Sequence, residues 1–277
     1  EAHEAIDFAL AIDDSNAEAL TLKAFCYQQS GELQKSCDYY LRLAEQQENK
    51  TRAYLALAKT YFEMQDYTSS IYYIEALLDN KDALSKYELS ELYGDIALCH
   101  AALKHIGVGQ ASIRRSLELN ENDPDTLIVA GRFFLMEAKA CNDETAKAEN
   151  QAKGELYFRQ ALNLIMEDER LDYLFTIGAA CFDTQNFKLA AQYYEQINRE
   201  FPDNAPATYF FLAYCYFYLE EAISCMHYIA KMKHELPDAY SNLGTSDSIL
   251  SDTRFNELMR NLKDSVNNGK VDLDNFL

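Results

Sequence analysis

Small residues recur along this chain at a nearly fixed interval, and they recur with a large residue four places ahead of each. Leu20 precedes Ala24, Tyr54 precedes Ala58, Tyr93 precedes Ala97, Leu127 precedes Gly131, Leu174 precedes Gly178 and Tyr209 precedes Ala213. The small residues stand 34, 39, 34, 47 and 35 positions apart, a 34-residue period carrying two insertions. Twelve places after each first small residue comes a second: Ser36, Ser70, Gly109, Ala190 and Cys225. In the fourth copy the second is Gly154, displaced by an insertion, and Ala2 fills the same role in a truncated leading copy.

Two antiparallel helices approach closely only where both carry small side chains, with large residues filling the flanking grooves. Tyr27, Tyr61, Phe134 and Tyr216 fall three places after the first small residue, and Tyr40, Ile74, Ile113, Phe158, Tyr194 and Ile229 four after the second. Both spacings keep the large and small residues on one helical face. With only 9 Gly and 4 Pro in 277 residues, helices are favoured over strands. Pro202 and Pro237 are placed to end second helices, and Pro124 and Pro206 to open first ones.

Two stretches break the period. Residues 80–86 lengthen the turn between the second and third copies. About eleven further residues near 138–153, rich in Ala, Glu and Lys, are expected to extend the helices of the fourth copy about a turn at Asn142-Asp143. After Pro237, Tyr240-x-x-Leu243-Gly244 imitates another copy, but Thr245-Ser246-Asp247-Ser248 is too polar to complete it. Phe255, Leu258, Met259, Leu262 and Val266 then form an apolar stripe, with Asp252 as N-cap and Gly269 as stop. Residues 252–267 are expected to be a helix covering the last apolar face of the array.

The pattern of a large residue, then Leu-Gly, Tyr, Ala, Phe and Pro resembles the tetratricopeptide repeat family. The best single copy is Leu174–Ile177–Gly178–Cys181–Ala190–Tyr194–Pro202, and Tyr or Leu replaces the missing Trp. The resemblance implies an all-α fold: a right-handed α-α superhelix of antiparallel helix pairs. It divides the chain into 1–237, a half repeat over 1–16 and then six repeats, and 238–277, a C-terminal capping helix and tail. It also implies that first helices line a concave face at positions three before, one after and four after the first small residue. On this lining Lys59 and Arg132 are the cations. The aromatics on it are Phe25, Phe62, Phe175, Phe182, Phe210, Tyr214 and Phe217. Family members that clamp a carboxylate use more cations than these two, so an apolar, aromatic groove for a peptide or helix of a partner protein is expected. Neighbouring helices, or the tail helix, are the competing explanation for Phe210, Tyr214 and Phe217.

A net charge of −20, spread along the chain, disfavours nucleic acid and anionic membranes and favours a basic, apolar partner segment, besides aiding solubility. No apolar run reaches the roughly 18 residues of a membrane span. Seven Cys without a CxxC pair indicate neither a disulfide framework nor zinc, and fit a reducing, cytoplasmic setting. The start at Glu1, in mid-pattern, suggests a fragment from which a signal peptide could have been removed. His100 takes a slot held by Tyr in other copies and reads as a satisfied histidine; Gly107-Val108-Gly109 reads as an interhelical turn; no catalytic site, metal or cofactor is expected. Two further functions stay open: a chaperone-like holder of an apolar, basic client segment, and a regulatory repeat domain of a larger enzyme or membrane-anchored protein.

Overall fold

The computed structural model describes residues 2–79, 84–242 and 252–267. Among them every regular element is a helix. The helices are α1 (Ala2–Ile12), α2 (Ala17–Gln29), α3 (Leu33–Ala44), α4 (Lys50–Glu63), α5 (Tyr67–Leu78), α6 (Lys86–Ala102), α7 (Ile106–Leu119) and α8 (Pro124–Ala140). They continue with α9 (Glu144–Leu162), α10 (Arg170–Asp183), α11 (Phe187–Glu200), α12 (Tyr209–Tyr218), α13 (Ala222–Glu235), α14 (Pro237–Asn242) and α15 (Thr253–Asn267). Consecutive helices pack as hairpins (α2 with α3, α4 with α5, α6 with α7, α10 with α11, α12 with α13), and neighbouring hairpins pack through α3 on α4, α5 on α6, α7 on α8 and α11 on α12. The architecture is a repeat of antiparallel helix pairs. The chain divides into two compact units, Glu1–Gly154 and Glu155–Leu277.

The small residues do meet. In the α4/α5 hairpin, Ser70 Oγ donates to the Ala58 carbonyl at 2.8 Å. A Cβ on Gly109 would stand 3.4 Å from the Ala97 carbonyl and 2.8 Å from the Phe133 ring. A Cβ on Gly154 would come within 2.9 Å of the Gly131 carbonyl. In the second unit a Cβ on Gly178 would lie 2.8 Å from the ring of Tyr194, which is itself fully buried. The six second-helix residues four places after the small ones, Tyr40, Ile74, Ile113, Phe158, Tyr194 and Ile229, are all buried. The isoleucines and Phe158 among them each contribute roughly 1.5–3 kcal/mol through removal from water.

Between the helices of a hairpin the chain turns through a left-handed residue seven places after the first small one. It is Gly31 (φ 77°), Gln65 (61°), Lys104 (61°), Gln185 (62°) and Glu220 (60°). The next N–H then reaches back five residues: Asp66 to the Tyr61 carbonyl at 2.9 Å, His105 to His100 at 2.8 Å, Asn186 to Cys181 at 2.8 Å and Glu221 to Tyr216 at 2.9 Å. This pairing satisfies the terminal carbonyls that a helix end otherwise leaves open. The fourth hairpin lacks such a turn because its helices run on: α8 continues to Ala140 and α9 begins at Glu144, so the insertion lengthens both helices about residues 141–143, as expected.

Three details differ from the sequence reading. Gly107 and Gly109 are not a turn but the first turn of α7, the turn having closed at Lys104. Pro206 does not open an α-helix: residues Pro202–Thr208 form a 3-10 segment, and α12 starts only at Tyr209. In α6 and α8 the positions expected to line a free face are core instead, with Leu98, Ala101, Ile128 and Leu135 all buried, because α6 packs directly on α8. Residues 80–83 of the first insertion, the 243–248 stretch, Gly269 and the side chains of Leu262 and Val266 lie outside the described residues. Ser85 begins α6 with a reciprocal cap, its side chain and that of Glu88 each bonding the other's backbone N–H. Five cysteines (Cys37, Cys99, Cys181, Cys215, Cys225) are buried, and Cys26 and Cys141 half-buried.

Two predictions follow from this packing and these turns. Gly178→Ala drives a methyl into the Tyr194 ring and should lower stability by about 1–3 kcal/mol in chemical denaturation. Gly107→Ala, with no heavy atom within 4 Å of the added carbon, should leave the midpoint unchanged or raise it; equal effects from the two would refute the assigned register. Gln185→Gly should stabilise by up to about 1 kcal/mol, since glycine takes the left-handed conformation without a Cβ clash. A loss of stability would show that the side chain of Gln185 matters more than its backbone.

Candidate binding surface

The face carried by the first helices differs in character between the two units. In the first unit it is charged. Lys59 on α4 is exposed, and Arg132 on α8 is half-buried with its guanidinium over the Phe62 ring at 5.6 Å. Phe62 is half-buried and edge-on to Tyr67 at 5.4 Å. Asp95 on α6 lies within electrostatic reach of both Lys59 and Arg132. Its carboxyl is pushed up to about 6 by burial, while the two cations pull it back and Glu91 adds to the rise. Phe25, on α2, is 51% exposed.

In the second unit the face is aromatic. Phe182 of α10 is edge-on to three rings: Phe187 at 5.7 Å, Phe211 at 5.4 Å and Tyr214 at 6.2 Å. Phe210 packs on Tyr214 at 4.6 Å, and Phe187 stacks on Tyr218 at 4.4 Å with the planes 5° apart. Tyr218 lies 5.2 Å from Phe217. Phe210 and Tyr218 are exposed, at 39% and 42%. Phe182 and Tyr214 are half-buried. Such edge-to-face and stacked arrangements are the favoured geometries of aromatic pairs, and the exposed surface they form is apolar.

The residues singled out from the sequence therefore separate. Lys59 and Arg132 come together through Asp95, with Phe62 against Arg132, and Phe182 and Phe210 come together through Tyr214 and Phe211. Phe175 is half-buried beside Tyr194 at 6.3 Å, close to the hairpin packing. Phe217 is not open: it is 5% exposed, with Phe255 of α15 at 6.3 Å and the Arg254 guanidinium 5.2 Å over its ring. Sequence reasoning missed Asp95, Phe187, Phe211 and Tyr218. Asp95 gave no periodic signal, since it lies two places before Ala97, off the lining positions that Lys59 and Arg132 take one place after Ala58 and Gly131. His100 and His105 approach with their Nδ1 atoms 3.3 Å apart, and both burial and the neighbouring His105 lower the pKa of His100. Among the described residues no group of His, Cys, Asp or Glu could hold a metal ion.

A further cavity of about 300 Å3 in the second unit is lined by residues that include Arg159, Asn163, Arg170, Gln192 and Tyr193. Its charges are already balanced: Arg159 pairs with Glu155, and Arg170 with Glu200 at 2.7 Å. No helix among the described residues is long and apolar enough to cross a membrane.

Residues 51–82, which take in the α4/α5 hairpin, match the family model of the tetratricopeptide repeat. No curated protein matches the chain.

The raised carboxyl of Asp95 sets a pH dependence. Its folded value of about 6 lies above the ordinary carboxylate value of 3.8, so folding takes up a proton between those limits. The ionised carboxylate therefore opposes folding at neutral pH, and the opposition is gone below the unfolded value. Asp95→Asn should accordingly be more stable than the parent at about pH 7.5, with the advantage shrinking as the pH falls through about 6 and absent by about pH 4. A variant less stable than the parent at neutral pH would show that Lys59 and Arg132 hold Asp95 as a needed anion.

Proposed function

We propose that this chain, a tetratricopeptide-repeat protein and hence a protein–protein interaction module, binds a peptide or helix of a partner through the aromatic face of its second unit. The observation that carries the reading is the run of contacting rings from Phe210 through Tyr214, Phe182 and Phe187 to Tyr218, exposed at both ends. Aromatic side chains already fixed by their neighbours lose little freedom on binding and are the usual anchors of an interface. The net charge of −20 favours a basic segment around the apolar anchor, with an ionic-strength dependence that the aromatic contribution lacks. Phe25 and the Lys59–Asp95–Arg132 group are secondary contacts on the first unit. A cytoplasmic setting and the absence of catalysis belong to the same reading.

The test is a displayed peptide library selected on the full chain. Selected peptides should lose about 2 kcal/mol or more of affinity on Phe210→Ala or Phe182→Ala, and much less on Phe25→Ala. Phe210→Ala should cost little stability, because its ring is exposed. Peptides indifferent to both ring deletions, or a Phe210→Ala chain destabilised by the 3–5 kcal/mol of a buried phenylalanine, would return these residues to the core.

A further inference from the structure

The ring series of the second unit does not stop at Tyr218. Tyr218 touches Phe217 at 5.2 Å, and Phe217 touches Phe255 of the C-terminal helix α15 at 6.3 Å. Arg254, the preceding residue, lies over two rings at once, 5.2 Å from the centre of Phe217 and 5.3 Å from that of Tyr218. Phe217 sits four places after Ala213, the same position that Phe182 takes after Gly178. The tail thus places an adjacent Arg-Phe pair onto one end of the aromatic face: a ring set against a ring, and a cation over two ring faces.

We propose that Arg254-Phe255 is a pseudo-ligand, occupying in cis the end of the aromatic face that takes a partner segment with a basic residue next to an aromatic one. This deepens the function proposed above and rests on it, by naming the chemistry of the partner and a means of control. The cis segment is a weak form of that ligand. Asp252 accepts hydrogen bonds from Arg254 Nε at 3.1 Å and from its Nη2 at 2.5 Å, so part of the charge is satisfied within the tail itself. Phe255 is buried, but Leu258 and Met259 of the same helix are only half-buried. A partner segment with the same pair and no acid two places ahead of the cation presents its full charge to the rings, on a chain of net charge −20. Partner and tail then compete, and the affinity measured for the partner is reduced by the fraction of molecules whose tail is seated.

The experiment uses the full chain and a fluorescein-labelled peptide copying residues 252–267, read by anisotropy. The peptide should bind the Arg254→Ala/Phe255→Ala chain about tenfold more tightly than the parent chain, as it would if the tail is seated in about nine molecules of ten. Arg254→Ala alone, which deletes an exposed side chain, should give a smaller gain in the same direction and guards against misfolding of the double variant. A peptide carrying Phe255→Ala should lose the binding. Equal or weaker binding to both variant chains, or binding indifferent to the peptide's own Phe255→Ala, overturns the proposal. Library peptides that depend on Phe210 but bind parent and tail variants alike would sink the tail's role and leave the aromatic face standing. Library peptides indifferent to Phe210 and Phe182 would remove the face itself.

Discussion

Close approach of two helices at a pair of small side chains is the constraint from which the remaining structure derives. Where Ser70 reaches the Ala58 carbonyl, or where Gly154 lies against the backbone at Gly131, there is no room for a longer side chain on either helix. That proximity fixes the crossing, and the crossing decides which neighbours are buried: Ile74 in one hairpin, Phe158 and Tyr194 in the second unit. It also sets the reach of the turn, so that the chain must reverse seven residues after the first small one. Non-glycine residues accept the left-handed conformation there because the six-residue backbone bond closes the helix end in return.

The hairpins were legible in the sequence because they repeat. One copy of large-then-small at four places means little, but six copies in register identify a face. The extended fourth hairpin was legible for a different reason, since its insertion is rich in residues that favour helix. Less visible was the left-handed turn: only Gly31 announces it, while Gln65, Lys104, Gln185 and Glu220 give no compositional signal. Nor could the pattern show that residues Pro202–Thr208 tighten into a 3-10 segment, which depends on how Thr208 is held by Asn198 and the Ala205 carbonyl.

The candidate surface was read in part. Register placed Phe182, Phe210 and Tyr214 on first helices, and they do meet. It could not supply Phe187, which belongs to the start of a second helix and joins them only across the turn, or Phe211, one position off the assumed lining. It also misplaced Leu98 and Leu135, because a fixed register assumes that all first helices pack alike, whereas α6 packs directly on α8. Asp95 lies two places before Ala97 and so off the assumed lining, yet its carboxylate is within electrostatic reach of both cations.

The buried thiols carry a different consequence. Cys37 belongs to α3, Cys99 to α6, Cys181 to α10, Cys215 to α12 and Cys225 to α13, so four separate hairpins each hold at least one. Burial pushes Cys37 and Cys99 up to about 11 and Cys215 and Cys225 up to about 12, and also raises Cys181 well above the ordinary thiol value, so none is a thiolate at neutral pH while its hairpin is closed. An alkylating reagent or an oxidant can reach each only when the surrounding pair of helices breathes. The order in which these sulfurs become labelled is therefore a built-in record of which parts of the array open first, written in the wild-type sequence without any added probe.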